Sequence, residues 1–82
     1  MFFTYILESV STGQLYIGQT NNIEDRLKRH NSGRNKSTKS KAPWILLHQV
    51  SFKTRAEAAQ LERKLKRWKN PTRVKEWIEK QK

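Results

Sequence analysis

Residues 2–18 read Phe2-Phe3-Thr4-Tyr5-Ile6-Leu7-Glu8-Ser9-Val10-Ser11-Thr12-Gly13-Gln14-Leu15-Tyr16-Ile17-Gly18, and this stretch decides the architecture. Residues 2–7 are aromatic and β-branched, apolar on both alternating faces, which predicts a strand covered on both sides. Ser11-Thr12-Gly13-Gln14 is a turn signal, with Gly13 free to take positive φ. Leu15-Tyr16-Ile17-Gly18 follows as a second strand, so the pair forms an antiparallel hairpin. Parity then governs the tyrosines. With an even number of loop residues, cross-strand partners sum to an odd number, and Tyr5 and Tyr16 project from the same face. An odd loop would separate them.

Beyond the hairpin, Asn21 and Asn22 are N-cap candidates, Asn21 standing three residues before Glu24 as in a capping box. A helix is predicted over residues 22–31. Its buried stripe is Ile23, Leu27 and His30, with Arg26 on the flank one turn before His30. Gly33 is a plausible stop. Residues 32–43 are polar, carry Arg34, Lys36, Lys39 and Lys41, and read as a mobile loop. A third strand is expected over 44–52, with Pro43 at its tolerated starting edge. Thr54-Arg55-Ala56-Glu57 is a capping box opening a helix that buries Ala58, Leu61, Leu65 and Trp68. Asn70-Pro71 reads as an N-cap followed by proline at the first helical position. The last helix, over 71–80, buries Val74, Trp77 and Ile78. The fold class is α+β: a small three-stranded antiparallel sheet flanked by helices, in the order β-β-α-β-α-α, forming one domain over residues 1–82.

The chain holds 18 Lys and Arg against 7 Asp and Glu, a net charge of +11. Solubility needs only about 2–8 charges on a small domain. A larger excess repels itself unless a polyanion neutralises it, and nucleic acid is the first candidate. All 18 basic residues lie from Arg26 onward. The N-terminal part is therefore scaffold and site, and the rest carries the electrostatic grip. There is no cysteine, which excludes disulfides, Cys-type zinc sites and thiol nucleophiles. No apolar run approaches a membrane span, and the N-terminus lacks the basic region of a signal peptide, so a cytoplasmic location is expected. The basic helices bury their apolar stripes, which argues against membrane binding.

With these elements in place, the chain resembles the GIY-YIG nuclease superfamily in its compact single-domain form, the module also found at the N-terminus of excision-repair nucleases. Thr4-Tyr5-Ile6-Leu7 keeps the tyrosine of the first motif and lacks its glycine. Tyr16-Ile17-Gly18 gives the second motif intact, eleven residues after Tyr5. Arg26 and His30, within Asp25-Arg26-Leu27-Lys28-Arg29-His30-Asn31, match the helix pattern, and Glu62 in Leu61-Glu62-Arg63 matches the metal-binding glutamate. The resemblance spans nearly the whole chain. It implies hydrolysis of DNA phosphodiester bonds with Mg²⁺ or Mn²⁺ held by Glu62. It implies that Tyr5 and Tyr16 form a hydroxyl pair, of which Tyr5 is the first choice as base. Such a role needs a phenol whose pKa, ordinarily about 10, is lowered by nearby cations. It also implies that Arg26 clamps the phosphate and that His30 binds phosphate or shuttles a proton. Many members carry an Asn or Lys after the glutamate that helps position the phosphate; Asn70, eight residues beyond Glu62, is accounted for as an N-cap, which leaves that part to a basic side chain or a partner.

Each of these residues has a plain structural alternative. Glu62 can pair with Lys66 one turn on, strand tyrosines usually pack, and His30 can be satisfied by backbone. Arg34, Lys36, Lys39, Lys41, Arg63, Lys66, Arg67 and Lys69 are expected to track phosphates with little sequence specificity. Three readings follow: a DNA endonuclease directed by strand form, in repair or processing; a non-catalytic nucleic-acid-binding module or accessory subunit of a repair complex; and a basic protein for RNA. A monomer or weak dimer is expected.

Overall fold

The computed structural model describes residues 1–33 and 40–82. The elements are β1 (Phe2–Ser9), β2 (Leu15–Thr20), α1 (Ile23–Asn31), β3 (Trp44–Phe52), α2 (Arg55–Trp68) and α3 (Pro71–Gln81). The observed order is the expected β-β-α-β-α-α. Arg34, Lys36 and Lys39, with the middle of the expected loop, lie outside the described residues. Among the described residues, no helix is long and apolar enough to cross a membrane.

The sheet runs β2-β1-β3, with β1 antiparallel to both neighbours. As the central strand, β1 is covered on both faces, as its two-sided apolar pattern requires. On one face Ile6 and Ile17 pack against Leu65 of α2 and Val74 and Ile78 of α3. On the other, Tyr5, Leu7 and Trp44 pack with Ile23 and Leu27 of α1. The sheet is therefore the middle layer of three, and burial of each large aliphatic side chain contributes about 1.5–3 kcal/mol. The Thr4 hydroxyl, buried on the α2 side, donates to the Ala58 carbonyl at 2.6 Å and fixes α2 along the sheet.

Helix entries follow local chemistry. The Thr54 hydroxyl accepts from the Glu57 N–H at 3.2 Å, as the capping box predicts. The Asn70 side-chain oxygen accepts from the N–H groups of Thr72 and Arg73, with Pro71 at the helix start. At α1 the cap is Asn22, not Asn21: its Oδ1 accepts from Asp25 N–H at 3.0 Å. The helix thus begins one residue later than the Asn21–Glu24 spacing implied. Gly33, beyond the last turn, takes φ 81°, and Gly13 in the hairpin takes φ 76°.

The hairpin register pairs Tyr5 with Gly18 and Leu7 with Tyr16, so the partners sum to an odd number and both tyrosines share a face. The β1–β3 register shifts between Ile6 and Leu7: Ile6 faces His48, while Leu7 faces Leu46. Leu47 is the extra residue of a β-bulge. An unbroken alternation would send Trp44, Leu46, His48, Val50 and Phe52 to one face. The bulge instead turns Trp44 and Leu46 toward α1 while Leu47 packs on the α2–α3 side.

Gly18 is occupied from across the hairpin. A Cβ there would meet Tyr5 Oη at 2.7 Å and Cζ at 2.8 Å. The space beside this glycine is thus filled by a tyrosine ring of the same sheet. Gly18→Ala should cost about 1–3 kcal/mol by urea denaturation, because a buried ring must shift. In a Tyr5→Leu background the cost should vanish or reverse, since Ala is the better strand residue. Equal costs in both backgrounds would show that the ring is not the obstacle.

Candidate active site

Four rings from four elements meet on the α1 side of the sheet. Tyr5 (β1) and Tyr16 (β2) lie with centroids 6.2 Å apart and planes 28° from parallel. His30, in the last turn of α1, puts its ring 4.4 Å from that of Tyr16. Its Nε2 stands 3.3 Å from Tyr5 Oη. Trp44, at the start of β3, closes the cluster at 6.2 Å from Tyr16 and 6.3 Å from His30. Tyr5 and His30 are each 2% exposed, whereas Tyr16 is half-buried.

Arg26 and Glu62 complete the group by charge. Arg26, exposed one turn before His30, lies close enough for its guanidinium to act on both Tyr5 and His30. Glu62 reaches the same neighbourhood from α2, and its carboxylate acts on the Tyr5 phenol. Residues distant in sequence are thus brought together from both helical layers.

Burial pushes the Tyr5 phenol well above its ordinary pKa, and the neighbouring Tyr16 and Glu62 push the same way; Arg26 opposes them without prevailing. The lowered pKa that a base role demands is therefore not met at Tyr5. Tyr5 keeps its proton and serves as a hydrogen-bonding hydroxyl. Burial first, and Arg26 second, hold His30 below the ordinary imidazole value, so at neutral pH its ring is uncharged.

Glu62 sits beside the packed face of α2, and its side chain is 20% exposed. Lys66 Nζ stands 2.6 Å from its Oε2, the i,i+4 pair that a plain structural reading of Glu62 also predicts. Among the described residues no group of three or more His, Cys, Asp or Glu could hold a metal ion. The donor set is thus one carboxylate. That does not fit a metal needing an all-protein cage, such as structural zinc. It fits Mg²⁺ or Mn²⁺ bound through a single carboxylate, with water and substrate phosphate filling the remaining positions.

The basic residues of α2 divide between two depressions. Lys66 and Lys69 rim a cleft of about 320 Å³ between the outer edge of β2 and the α2–α3 junction, with Tyr16 and Asn70 in its wall. Arg63 and Arg67 line a separate hollow with Phe52 and Glu57. Only the first pair adjoins the ring cluster. Lys41 lies near the hairpin base, where its carbonyl accepts from the Ser9 hydroxyl at 2.6 Å. The Asn70 side-chain oxygen is committed to its cap, while the residue lines the same cleft as Tyr16. His48 packs edge-on against Trp77 at 5.7 Å, away from the cluster.

Two contributors were not legible as site residues. Trp44 reaches the cluster only through the β3 bulge. Asn31, the last residue of α1, uses its side-chain amide to accept from Trp44 N–H and donate to Trp44 C=O, holding that tryptophan beside His30. A polar residue closing an otherwise complete helix was the one available signal.

The depressed His30 value carries a pH signature. In the window below about 6.5 the unfolded chain takes up a proton that the folded chain refuses. The unfolded state then binds more protons, so stability falls as pH drops through that window and is level above it. Thermal unfolding at pH 5.0 and 7.5 should show this loss in the wild type and a smaller one in His30→Gln. Equal pH dependence in the two proteins would remove His30 as the cause.

The chain is similar in sequence and fold to known proteins. The GIY-YIG catalytic domain family matches residues 1–76. A UPF0213 protein of Nitratidesulfovibrio vulgaris is 44% identical over 68 residues, covering 82% of this chain and 61% of the relative. A UPF0213 protein of Bacillus licheniformis is 46% identical over 61 residues, covering 73% of this chain and 62% of the relative. The chain spans about three fifths of the length of these two curated relatives. The solution NMR structure of a UPF0213 protein from Bacillus halodurans is similar over all of this chain and 86% of its own, with 32% identity and a TM-score of 0.57. The family match and the similar fold agree, and the chain belongs to the GIY-YIG catalytic domain family.

Proposed function

We propose that this protein is a divalent-cation-dependent endonuclease that hydrolyses DNA phosphodiester bonds, directed by strand form during DNA repair or processing. The observation that carries this reading is the convergence of Tyr5, Tyr16, Arg26, His30 and Glu62. Packing alone would not set one carboxylate and one exposed guanidinium around a buried phenol–imidazole pair.

The roles follow from environment. Arg26 is exposed and always charged, and its fork matches two oxygens of a phosphate. It holds the scissile group and offsets charge building on it. Tyr16 is the more accessible phenol, so it orients the attacking water. His30, uncharged at neutral pH, and Tyr5, kept protonated by burial, orient one another through the Nε2–Oη contact. Glu62 would hold Mg²⁺ or Mn²⁺, which when bound supplies Lewis-acid help to the phosphate and the leaving oxygen. Around this centre the net charge of +11 binds backbone phosphate without reading bases. A repair-complex partner could supply targeting.

A second reading, a module that binds nucleic acid without cutting, draws on the Glu62–Lys66 pair, since that contact already satisfies the carboxylate. One experiment separates the two. End-labelled single- and double-stranded DNA is incubated with Mg²⁺, Mn²⁺ or EDTA, with wild type, Glu62→Gln and Tyr16→Phe side by side. We expect cation-dependent cutting, reduced by at least about 100-fold in Glu62→Gln and by about 100-fold in Tyr16→Phe, with binding retained in all three. Binding without cutting by any protein would select the module. Equal cutting by wild type and Glu62→Gln would sink the proposed role of the glutamate.

A further inference from the structure

Glu62 is covered in a way that the other i,i+4 ion pairs are not. In Lys28–Glu24 and Arg29–Asp25 the side chains are 46–82% exposed. Such pairs contribute little, since water screens them. The Glu62 side chain is 20% exposed, its partner Lys66 52%. A carboxylate taken this far out of water is costly unless neutralised, and the Lys66 ammonium at 2.6 Å neutralises it. That ammonium takes one of the two carboxylate oxygens and supplies the counter-charge that a metal would otherwise supply. Cation and ammonium compete for one anion.

Lys66 also has somewhere to go. It lines the cleft that contains Tyr16 and Lys69, which has an apolar floor of Leu15, Ile17 and Val74. Without a polyanion, moving the ammonium there would place it against Lys69 with no counter-charge. With DNA phosphate at the rim, the same movement exchanges a carboxylate partner for a phosphate partner. Lysine suits this exchange, being a compact charge on a flexible stem.

We propose that Lys66 is an internal counter-ion that occupies the cation position on Glu62 and yields it only when DNA arrives, moving to the Tyr16 cleft to grip the backbone. This rests on the reading of Glu62 as the metal ligand. Its consequence is reciprocal coupling: DNA strengthens cation binding, and the cation strengthens DNA binding, by the same factor. The free protein is a poor metal binder, which protects a site with a single carboxylate from incidental cations.

Direct Mn²⁺ binding tests this without reference to cutting. Free Mn²⁺ is followed by electron paramagnetic resonance for wild type, Lys66→Met, Lys66→Gln, Glu62→Gln and the double variant Lys66→Met/Glu62→Gln. Each is measured alone and with a phosphorothioate oligonucleotide. Lys66 is half exposed, so circular dichroism should show both lysine variants folded. Without DNA, Lys66→Met and Lys66→Gln should bind Mn²⁺ roughly ten-fold tighter than wild type, a coupling of ordinary size. The gain should be absent in the double variant. The oligonucleotide should tighten Mn²⁺ binding to wild type far more than to Lys66→Met. If the lysine variants match wild type while Glu62→Gln loses Mn²⁺, the counter-ion role is overturned and the ligand role of Glu62 stands. Mn²⁺ binding indifferent to Glu62 in every arm would overturn both.

Discussion

The Tyr5 ring lies across Gly18 and its hydroxyl meets His30, and these two contacts tie three elements together. The ring belongs to the central strand, the glycine to the edge strand and the imidazole to α1. Each partner limits the others. The glycine leaves the space that lets the phenol lie down, and the phenol then comes within reach of His30 on α1. Burial of that contact raises the phenol and lowers the imidazole, so both are neutral where solvent would leave them closer to ionisation. Two uncharged, mutually satisfied groups form a floor on which charged partners can act.

Much of this was readable from residue order. Turn chemistry, strand pattern and cap residues yield every element, and the even hairpin loop alone puts Tyr5 and Tyr16 on one face, because β-strand side chains alternate without exception between bulges. The site positions of Arg26 and His30 follow from one helical turn. What escaped is long-range. The bulge at Leu47 depends on how β3 docks against β1, and nothing within β3 announces it. The state of Tyr5 escaped too. A base role asks for cations near the phenol, and Arg26 is there, but burial outweighs it, and burial is a property of the packed whole. The exchange of Asn21 for Asn22 as the α1 cap is a smaller case: two adjacent capping residues compete, and the Thr20 hydroxyl settles the matter by accepting from Asn22 N–H at 3.1 Å.

Electrostatically the molecule is a strong positive field with one covered carboxylate, Glu62, beside the ring cluster. Of the 7 acidic residues, Glu24 and Asp25 are spent on exposed pairs within α1, and Glu8 pairs with Lys75 of α3 at 2.5 Å. Glu62 alone acts on the ring cluster among the described residues. That carboxylate is itself paired with Lys66, so the negative charge nearest the cluster is already balanced within α2. The distribution of charge along the chain, with every Lys and Arg after position 25, separates the field from the floor.

The amide of Asn31 grips both backbone groups of Trp44, joining the end of α1 directly to the start of β3. Mechanically this is a clasp across the mouth of a loop. The twelve intervening residues, 32–43, begin and end at points already tied to each other. Near their end the carbonyls of Lys41 and Pro43 add ties to the hairpin. Through the Asn31 clasp the position of Trp44 in the ring cluster is set by the end of α1 and not by the path of the chain between them.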